Sequence, residues 1–199
     1  MTMAKRIAVD RCWGLIIDVQ EFFLSQIDTR LRSKLETNLE NFARLLGYFR
    51  VPMVATLERP VDQKGALSRE IAKHASGAKI FEKDFFDLTK EKKIADHITR
   101  LKKKQVIVAG CETDVCVLQS CLGLLGLGYH VYVVEELVFS SSRNVDAAIA
   151  RMKTAGTVFV TYKSLYYELI EAVDGARHGE KVLATFGPFP ADLPDAAVQ

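Results

Sequence analysis

The sequence predicts an α/β fold: a single-domain three-layer sandwich in which a mainly parallel, Rossmann-like sheet carries helices on both faces. Short apolar runs alternate along the chain with longer segments of helical period, the β-α-β-α order that is typical of parallel sheets. The apolar runs are nearly continuous, as expected for strands that are covered on both faces. With 199 residues and no internal repeat or linker, the chain suits one core better than two.

The first half of the chain supplies two strands around a helix. WGLIIDV (13–19) is an apolar run that predicts a buried strand, and PMVATLE (52–58) predicts a second. Between them, residues 35–50 place leucine and phenylalanine at helical spacing, and Pro52 ends this predicted helix.

The second half continues the alternation. The predicted strands are QVIVAGC (105–111), YHVYVVEE (129–136) and TVFVTY (157–162), and the predicted helices are 90–104, 113–128, 141–156 and 164–173. The helix at 141–156 begins with residues that favour an N-cap and ends at Gly156. Because residues 187–194 are rich in glycine and proline, we place the domain at 1–186 and a C-terminal tail at 187–199.

The composition excludes several classes of partner. A net charge of +2 is too small to indicate nucleic-acid binding, and the basic clusters at 90–93 and 100–105 contain no interleaved aromatic residues. No apolar stretch reaches the roughly 20 residues of a membrane span, and Asp10 and Arg11 interrupt the only signal-like segment. Four cysteines without a secretory signal predict free thiols, so we expect a cytoplasmic protein that binds neither nucleic acid nor membrane.

Polar residues follow the predicted strands where parallel sheets bind their ligands, beyond the C-terminal ends. Asp18 ends the first strand, Glu58 ends the second, and GCETDVC (110–116) follows the strand at 105–110. Residues that are distant in sequence therefore converge on one edge of the fold.

Cysteines Cys111, Cys116 and Cys121 are spaced five residues apart, which does not place two of them on one helix face. No histidine stands at a ligand-like spacing, so a zinc site is not predicted. Cys121 lies among leucines and is expected in the core, and Cys12 is also expected to be structural. Cys111 ends a strand, where its expected role is backbone geometry.

Cys116 differs because it lies in the first predicted helical turn after a strand, with Thr113 or Asp114 as N-cap. The N-terminus of a helix lowers a thiol pKa, and its N–H groups can hold an oxyanion formed by attack on a carbonyl. The position therefore predicts a nucleophile, although many turns of this kind carry cysteines without a role.

Four segments in order resemble the isochorismatase-like cysteine hydrolase family over about residues 10–172, and the C-terminal part is similar to its metal-free branch. The segments are LIIDVQEFF (15–23), FEKDFFDLT (81–89), VIVAGCETDVCV (106–117) and GYHVYVVEE (128–136). The resemblance implies Asp18 as general base, Lys83 as orienting cation and Cys116 as nucleophile. It also implies a cis peptide bond between Cys111 and Glu112, just before Thr113, with the N–H groups of Glu112 and Cys116 at the oxyanion.

Departures from the family pattern reduce the number of reactions expected of this protein. Family members that hydrolyse nicotinamide carry an Asp-x-His metal cluster after the second strand, whereas TLERPVDQ (56–63) contains no histidine. We therefore expect no catalytic metal and no other cofactor. Branch members that cleave isochorismate lack the cysteine, so Cys116 argues against that reaction. Asp87, four residues after Lys83, places a negative charge near the site or signals a local shift.

The substrate pocket is expected to include Gln20, Phe22, Glu58 and Phe86, with Trp13 as a further apolar wall. Core positions for the aromatic residues, and a surface ion pair between Glu58 and Arg59, are the alternatives.

The leading interpretation is a metal-independent cysteine hydrolase of a small amide or related C–N bond, which acts through a thioester and whose substrate is unknown. A non-catalytic binding or scaffold protein is the second hypothesis. A thiol-redox protein that uses Cys111 and Cys116 is the third, and the absence of a C-x-x-C motif weakens it. The resemblance and the apolar, glycine-bearing helix LQSCLGLLGLG (118–128) lead us to expect a homo-oligomer.

Overall fold

One six-stranded parallel sheet organises the chain. The computed structural model describes residues 6–75 and 77–171. In these ranges the strands are β1 (Cys12–Ile17), β2 (Met53–Glu58), β3 (Lys79–Lys83), β4 (Gln105–Cys111), β5 (His130–Phe139) and β6 (Val158–Val160). Their order across the sheet is β3-β2-β1-β4-β5-β6, and every neighbouring pair is parallel. The predicted Rossmann-like sheet is therefore confirmed.

Helices cover both faces of the sheet, which confirms the three-layer prediction. The helices of the described residues are α1 (Glu21–Leu24), α2 (Thr29–Tyr48), α3 (Val61–Lys64), α4 (Arg69–His74), α5 (Lys92–Arg100), α6 (Leu118–Gly126), α7 (Asp146–Ala155) and α8 (Tyr162–Ile170). Buried side chains of α2, α4 and α8 form one core cluster with the sheet. Those of α5, α6 and α7 form a second cluster on the opposite face.

Strand β1 explains why the strands appear in the sequence as continuous apolar runs. All six of its residues are buried. Successive side chains of a strand point to opposite faces, so Ile16 belongs to one core cluster while Leu15 and Ile17 belong to the other. Burying each such side chain contributes roughly 1.5–3 kcal/mol. A central strand therefore needs an apolar residue at every position.

The turn after β4 differs from the prediction. Residues Thr113–Val117 form a π-helical turn, and α6 begins only after it. Glu112 precedes this turn and makes no side-chain cap hydrogen bond, so the prediction of Thr113 or Asp114 as the N-cap is wrong. The N–H of the last residue in the turn donates to the Glu112 carbonyl at 3.0 Å, the wide bond of a π turn.

Serines of the loop after β5 bind this turn from outside. The hydroxyls of Ser140 and Ser142 each donate to the Asp114 carboxylate at 2.6 Å. The N–H of Ser141 donates to the Glu112 carboxylate at 3.1 Å. These serines hold the turn rather than cap a helix, and α7 accordingly begins later than the sequence predicts.

Several boundaries can be compared with the prediction. Helix α7 is followed by Gly156 in the left-handed conformation, as expected. The predicted tail at 187–199 and the predicted end of the domain at 186 lie outside the described residues. Among the described helices, none combines the length and the apolar character needed to cross a membrane.

Strand order brings the predicted site residues to one edge of the sheet. Asp18 follows β1, and Cys111 ends the neighbouring β4. From β1 the chain continues to β2 on one side, whereas from β4 it continues to β5 on the other side. Glu58 ends β2 and lies in register with Lys83, which ends β3. The crevice beyond such strand ends is the ligand-binding position of open α/β sheets.

Gly110 allows β4 to pass close to β1. Its φ is +121°, and a Cβ atom at this position would lie 2.0 Å from the carbonyl oxygen of Ile17. We predict that Gly110→Ala lowers the free energy of unfolding by roughly 3 kcal/mol through overpacking and backbone strain. Urea unfolding measures this loss.

The same substitution at Gly126 is the matched control, because a Cβ there meets no atom within 4 Å. Gly126→Ala should leave the stability unchanged or raise it by up to about 1 kcal/mol, since alanine favours helices. A Gly110→Ala protein as stable as the wild type would contradict the close approach of the two strands.

Candidate active site

Asp18 is a completely buried carboxylate at the end of β1. Its Oδ1 accepts a hydrogen bond from the Thr56 hydroxyl at 2.8 Å, and its Oδ2 lies 2.7 Å from the Lys83 ammonium. Burial raises the pKa of Asp18, although Lys83, Thr56 and Cys116 act in the opposite direction. Asp18 is therefore a stronger base than an aspartate in water.

Lys83 ends an edge strand, yet its side chain is completely buried. Besides Asp18, the ammonium lies 3.6 Å from the Oε2 atom of Glu58 and donates to the Sγ atom of Cys116 at 3.4 Å. Burial disfavours the charged form, but the attraction of Asp18, Cys116 and Glu58 outweighs it and raises the pKa of Lys83. The lysine therefore remains an ammonium among negative or polarisable partners.

Cys116 is only 2% exposed, and its thiol donates to the Oε2 atom of Glu58 at 3.0 Å. Burial raises the pKa of this thiol, Asp18 and Glu58 raise it further, and Lys83 only partly opposes them. The expectation of a thiol pKa lowered by a helix N-terminus is therefore wrong. In the resting site the sulfur is a neutral thiol, because burial and the two carboxylates outweigh the ammonium of Lys83.

Glu58 was predicted to line the substrate pocket. In the structure it belongs to the same charged cluster and contacts the sulfur of Cys116 directly. One carboxylate oxygen pairs with the Lys64 ammonium and the other faces Cys116. Burial would raise the pKa of Glu58, but the hydrogen bonds from Lys64 and Cys116 and the charge of Lys83 outweigh it and lower the pKa. Glu58 is therefore ionised in the resting site.

Gln20, predicted to line the substrate pocket, is completely buried and fixes the end of β2. Its amide nitrogen donates to the carbonyl oxygens of Glu58, at 3.1 Å, and of Gly65, at 2.7 Å. Its amide oxygen accepts from the N–H of Glu58 at 2.7 Å. Gln20 thus holds the backbone that carries the Glu58 side chain.

The aromatic residues expected at the pocket divide between surface and core. Phe22 and Phe86 are 47% and 48% exposed, and the Lys64 ammonium lies 5.9 Å from the centre of the Phe22 ring. Their contact with a substrate stays a prediction. Trp13 is completely buried in the core beside Tyr129, so its prediction as a pocket wall is wrong.

The sequence left the roles of Asp87 and Arg59 undecided, and in the structure each side chain has partners close by. Asp87 accepts a hydrogen bond from the N–H of Thr89 at 2.9 Å and so caps a short 3₁₀ turn. Arg59 pairs with Glu82 at 3.0 Å and with Asp84 at 2.7 Å, all three largely exposed. The alternative of a surface ion pair thus applies to Arg59, although its partners are not Glu58.

The turn that carries Cys116 is linked to Asp18. The peptide bond between Cys111 and Glu112 is cis, at the position that the resemblance implies, and Thr113 beside it is buried. The Cys111 thiol donates to the backbone carbonyl of Asp18 at 2.9 Å. Since Cys111 and Cys116 donate to different acceptors, the geometry does not favour a redox pair.

Metal-ligand types do occur in the cluster. One ligand atom each of Asp18, Glu58 and Cys116 lies within 4.8 Å of the others. The Lys83 ammonium contacts all three, however, and already supplies the positive charge that an ion would bring. The residues therefore do not fit a metal ion, and the expected independence from metals stays a prediction.

Thr56 and Lys64 contact site carboxylates but were not among the predicted site residues. Thr56 is the one polar residue among the five buried residues of β2, and a polar residue inside an apolar run is a usable signal in the sequence. Lys64 follows Glu58 in a separate short helix, and no spacing in the sequence indicates that the two side chains meet.

Solved structures share this fold. YcaC from Pseudomonas aeruginosa, solved with hexane-2,5-diol and covalent acrylamide, has a TM-score of 0.81 and 26% identity, and the match covers 86% of each chain. YcaC from Escherichia coli, described as an octameric hydrolase of unknown specificity, has a TM-score of 0.84 and 24% identity over 93% of this chain and 90% of that one. The chain thus has the α/β fold of these proteins.

The sequence itself identifies the family. The isochorismatase domain model matches residues 12–164. The secreted isochorismatase effector Isc1 of Phytophthora sojae is 33% identical over 163 residues, which cover 77% of this chain and 74% of the relative. The chain therefore belongs to the isochorismatase family of hydrolases, as the sequence motifs predicted.

The raised pKa of Cys116 gives a testable pH dependence. A thiol pKa above that of free cysteine, about 8.5, leaves the sulfur protonated at neutral pH, so only a small and pH-dependent fraction reacts. We predict that alkylation of Cys116 by iodoacetamide still accelerates, roughly tenfold per unit, between pH 7 and pH 9. Tandem mass spectrometry assigns the label to Cys116.

A short unstructured peptide with one cysteine is the reference, and its alkylation rate should begin to level off near the ordinary thiol pKa of about 8.5, whereas that of Cys116 should not. A rate for Cys116 that is already constant at pH 7 would show a thiolate in the resting site and contradict the neutral thiol.

Proposed function

We propose that this protein is a metal-independent cysteine hydrolase of a small amide or related C–N bond. The supporting observation is the meeting of the Cys116 thiol, the Asp18 carboxylate and the Lys83 ammonium at the ligand-binding edge of the sheet. A nucleophile, a base and a balancing cation are the groups that acyl transfer through a covalent intermediate needs.

In the proposed reaction, the Cys116 sulfur attacks the substrate carbonyl while its proton moves to Asp18. The backbone N–H groups of Glu112 and Cys116 stabilise the oxyanion, with Thr113 holding their turn. The C–N bond then breaks, Asp18 returns the proton to the leaving nitrogen, and a thioester remains. Water gives a proton to Asp18, attacks the thioester and releases the acid, and the thiol is restored.

A neutral resting thiol makes the timing of proton transfer important. Because the pKa of Cys116 is raised, the proton must leave as the C–S bond forms rather than before it. Asp18 suits this step since burial raises its pKa and makes it a better proton acceptor. Lys83 remains charged throughout and compensates the carboxylate.

The binding or scaffold alternative has one specific observation in its favour. Asp18 and Lys83 are completely buried and Cys116 is nearly so, which leaves little of the sulfur open to a substrate. Phe22 and Phe86 are proposed to border the entry. A covalently bound acrylamide in the similar P. aeruginosa YcaC favours the hydrolase, because it indicates a reactive group in a protein of this fold.

A small molecule is the proposed substrate, and a homo-oligomer is the proposed assembly. The E. coli YcaC is described as an octamer, which agrees with the latter without fixing the number of subunits here. Action in the cytoplasm stays a prediction, and the P. sojae relative is named as secreted.

Removal of the nucleophile or the base tests the proposal. Wild-type protein should release ammonia from at least one member of a panel of small primary amides. Cys116→Ala and Asp18→Asn should each lower kcat/KM by at least about 10³-fold, because a nucleophile and its base act as a unit. Coupled measurement of ammonia gives the rates.

Cys121→Ala is the matched control, since Cys121 is a buried core thiol whose pKa is raised by burial alone, without a contribution from a charged group. It should retain activity. An amide whose hydrolysis persists in Cys116→Ala would contradict the mechanism, and a folded wild-type protein inactive on the whole panel would favour the scaffold.

A further inference from the structure

Glu58 has two partners that act on it differently. One oxygen of its carboxylate pairs with the Lys64 ammonium, and the other accepts the Cys116 thiol hydrogen bond at 3.0 Å. The side chains of Glu58 and Lys64 are 12% and 19% exposed, whereas Asp18 is completely buried. Glu58 therefore contacts the sulfur from the side nearer to solvent.

The thiol donates to Glu58 at 3.0 Å, while both oxygens of Asp18 have another partner as well. The two oxygens of Asp18 face the Thr56 hydroxyl and the Lys83 ammonium. A hydrogen bond from S–H to an ionised carboxylate is charge-assisted and stabilises the protonated thiol. The ion pair with Lys64 keeps Glu58 ionised and fixes the direction of its second oxygen.

The backbone beneath Glu58 is fixed as well. Gln20 bonds both the carbonyl and the N–H of Glu58, at 3.1 Å and 2.7 Å. With the backbone held by Gln20 and the carboxylate by Lys64, the acceptor atom has one defined position against Cys116. Such preorganisation is what a positioning group requires.

We propose that Glu58, held by Gln20 and Lys64, is a positioning residue that locks the Cys116 thiol in its protonated form between turnovers. The thiol must leave Glu58 before its proton can pass to Asp18, so the sulfur attacks only when a substrate displaces that hydrogen bond. This last step rests on the proposed hydrolase function, whereas the locked resting thiol does not.

Alkylation of Cys116 tests the locked thiol without any substrate. In Glu58→Gln the carboxylate charge disappears and Lys64 remains, so the thiolate becomes easier to form. Iodoacetamide should then alkylate Cys116 about tenfold faster at pH 7.5, which corresponds to a shift of the rate profile by about one pH unit downward. If Glu58 had only a structural role, its replacement would not shift the pH profile of Cys116 alkylation to lower pH.

Lys64→Met provides a second variant of opposite sign. It leaves the Glu58 charge without its cation, so the thiol is held more strongly and alkylation should become severalfold slower. Glu82→Gln is the matched control, because Glu82 is a carboxylate at the surface that pairs with Arg59, and its removal should leave the rate unchanged.

An alkylation rate for Glu58→Gln at or below the wild-type value overturns the proposal, as does faster alkylation in Lys64→Met. Circular dichroism reports whether each variant is folded, and if Glu58→Gln is not, Lys64→Met decides alone. Opposite shifts in the two variants, with no amide hydrolysed by the wild type, would support the locked thiol while rejecting the hydrolase function.

Discussion

The buried ammonium of Lys83 is the constraint on which the site depends. An isolated charge in the interior is unfavourable, and removing one partner of a buried ion pair typically costs about 3–5 kcal/mol. Asp18 and Glu58 lie 2.7 Å and 3.6 Å from this ammonium, and the three residues come from the ends of β1, β2 and β3. The charges therefore require the three strands to keep their register.

The same charge balance keeps the Cys116 thiol neutral. Two carboxylates, Asp18 and Glu58, face two ammonium groups, Lys83 and Lys64, so the cluster has no net charge while Cys116 is protonated. A thiolate would add an uncompensated negative charge in a buried position. Proton transfer from sulfur to a carboxylate, in contrast, keeps the total charge unchanged, which makes an internal base more suitable than release to water.

Periodicity and sequence motifs predict the fold more completely than they predict the site. The alternation of apolar runs predicts the sheet because every residue of a central strand such as β1 must be apolar. The motifs predict Asp18, Lys83 and Cys116 as the catalytic residues, but they do not predict the thiol pKa, which depends on burial and on charges from other strands. Nor does a sequence state the register that sets Glu58 against Lys83 or the rotamer that turns Glu58 toward the sulfur.

The two carboxylates differ in environment, and that difference assigns their parts in the proposed reaction. Asp18 is completely buried and its pKa is raised, whereas the pKa of Glu58 is lowered by Lys64, Cys116 and Lys83 against the effect of burial. Groups whose pKa values are pushed apart take separate acid and base roles. Glu58, which stays ionised, therefore holds the proton of Cys116 as a hydrogen bond, and Asp18, whose basicity burial increases, is proposed to accept that proton when the sulfur attacks. The 3.0 Å hydrogen bond to the sulfur would by itself assign both roles to Glu58, and burial is what separates the two carboxylates.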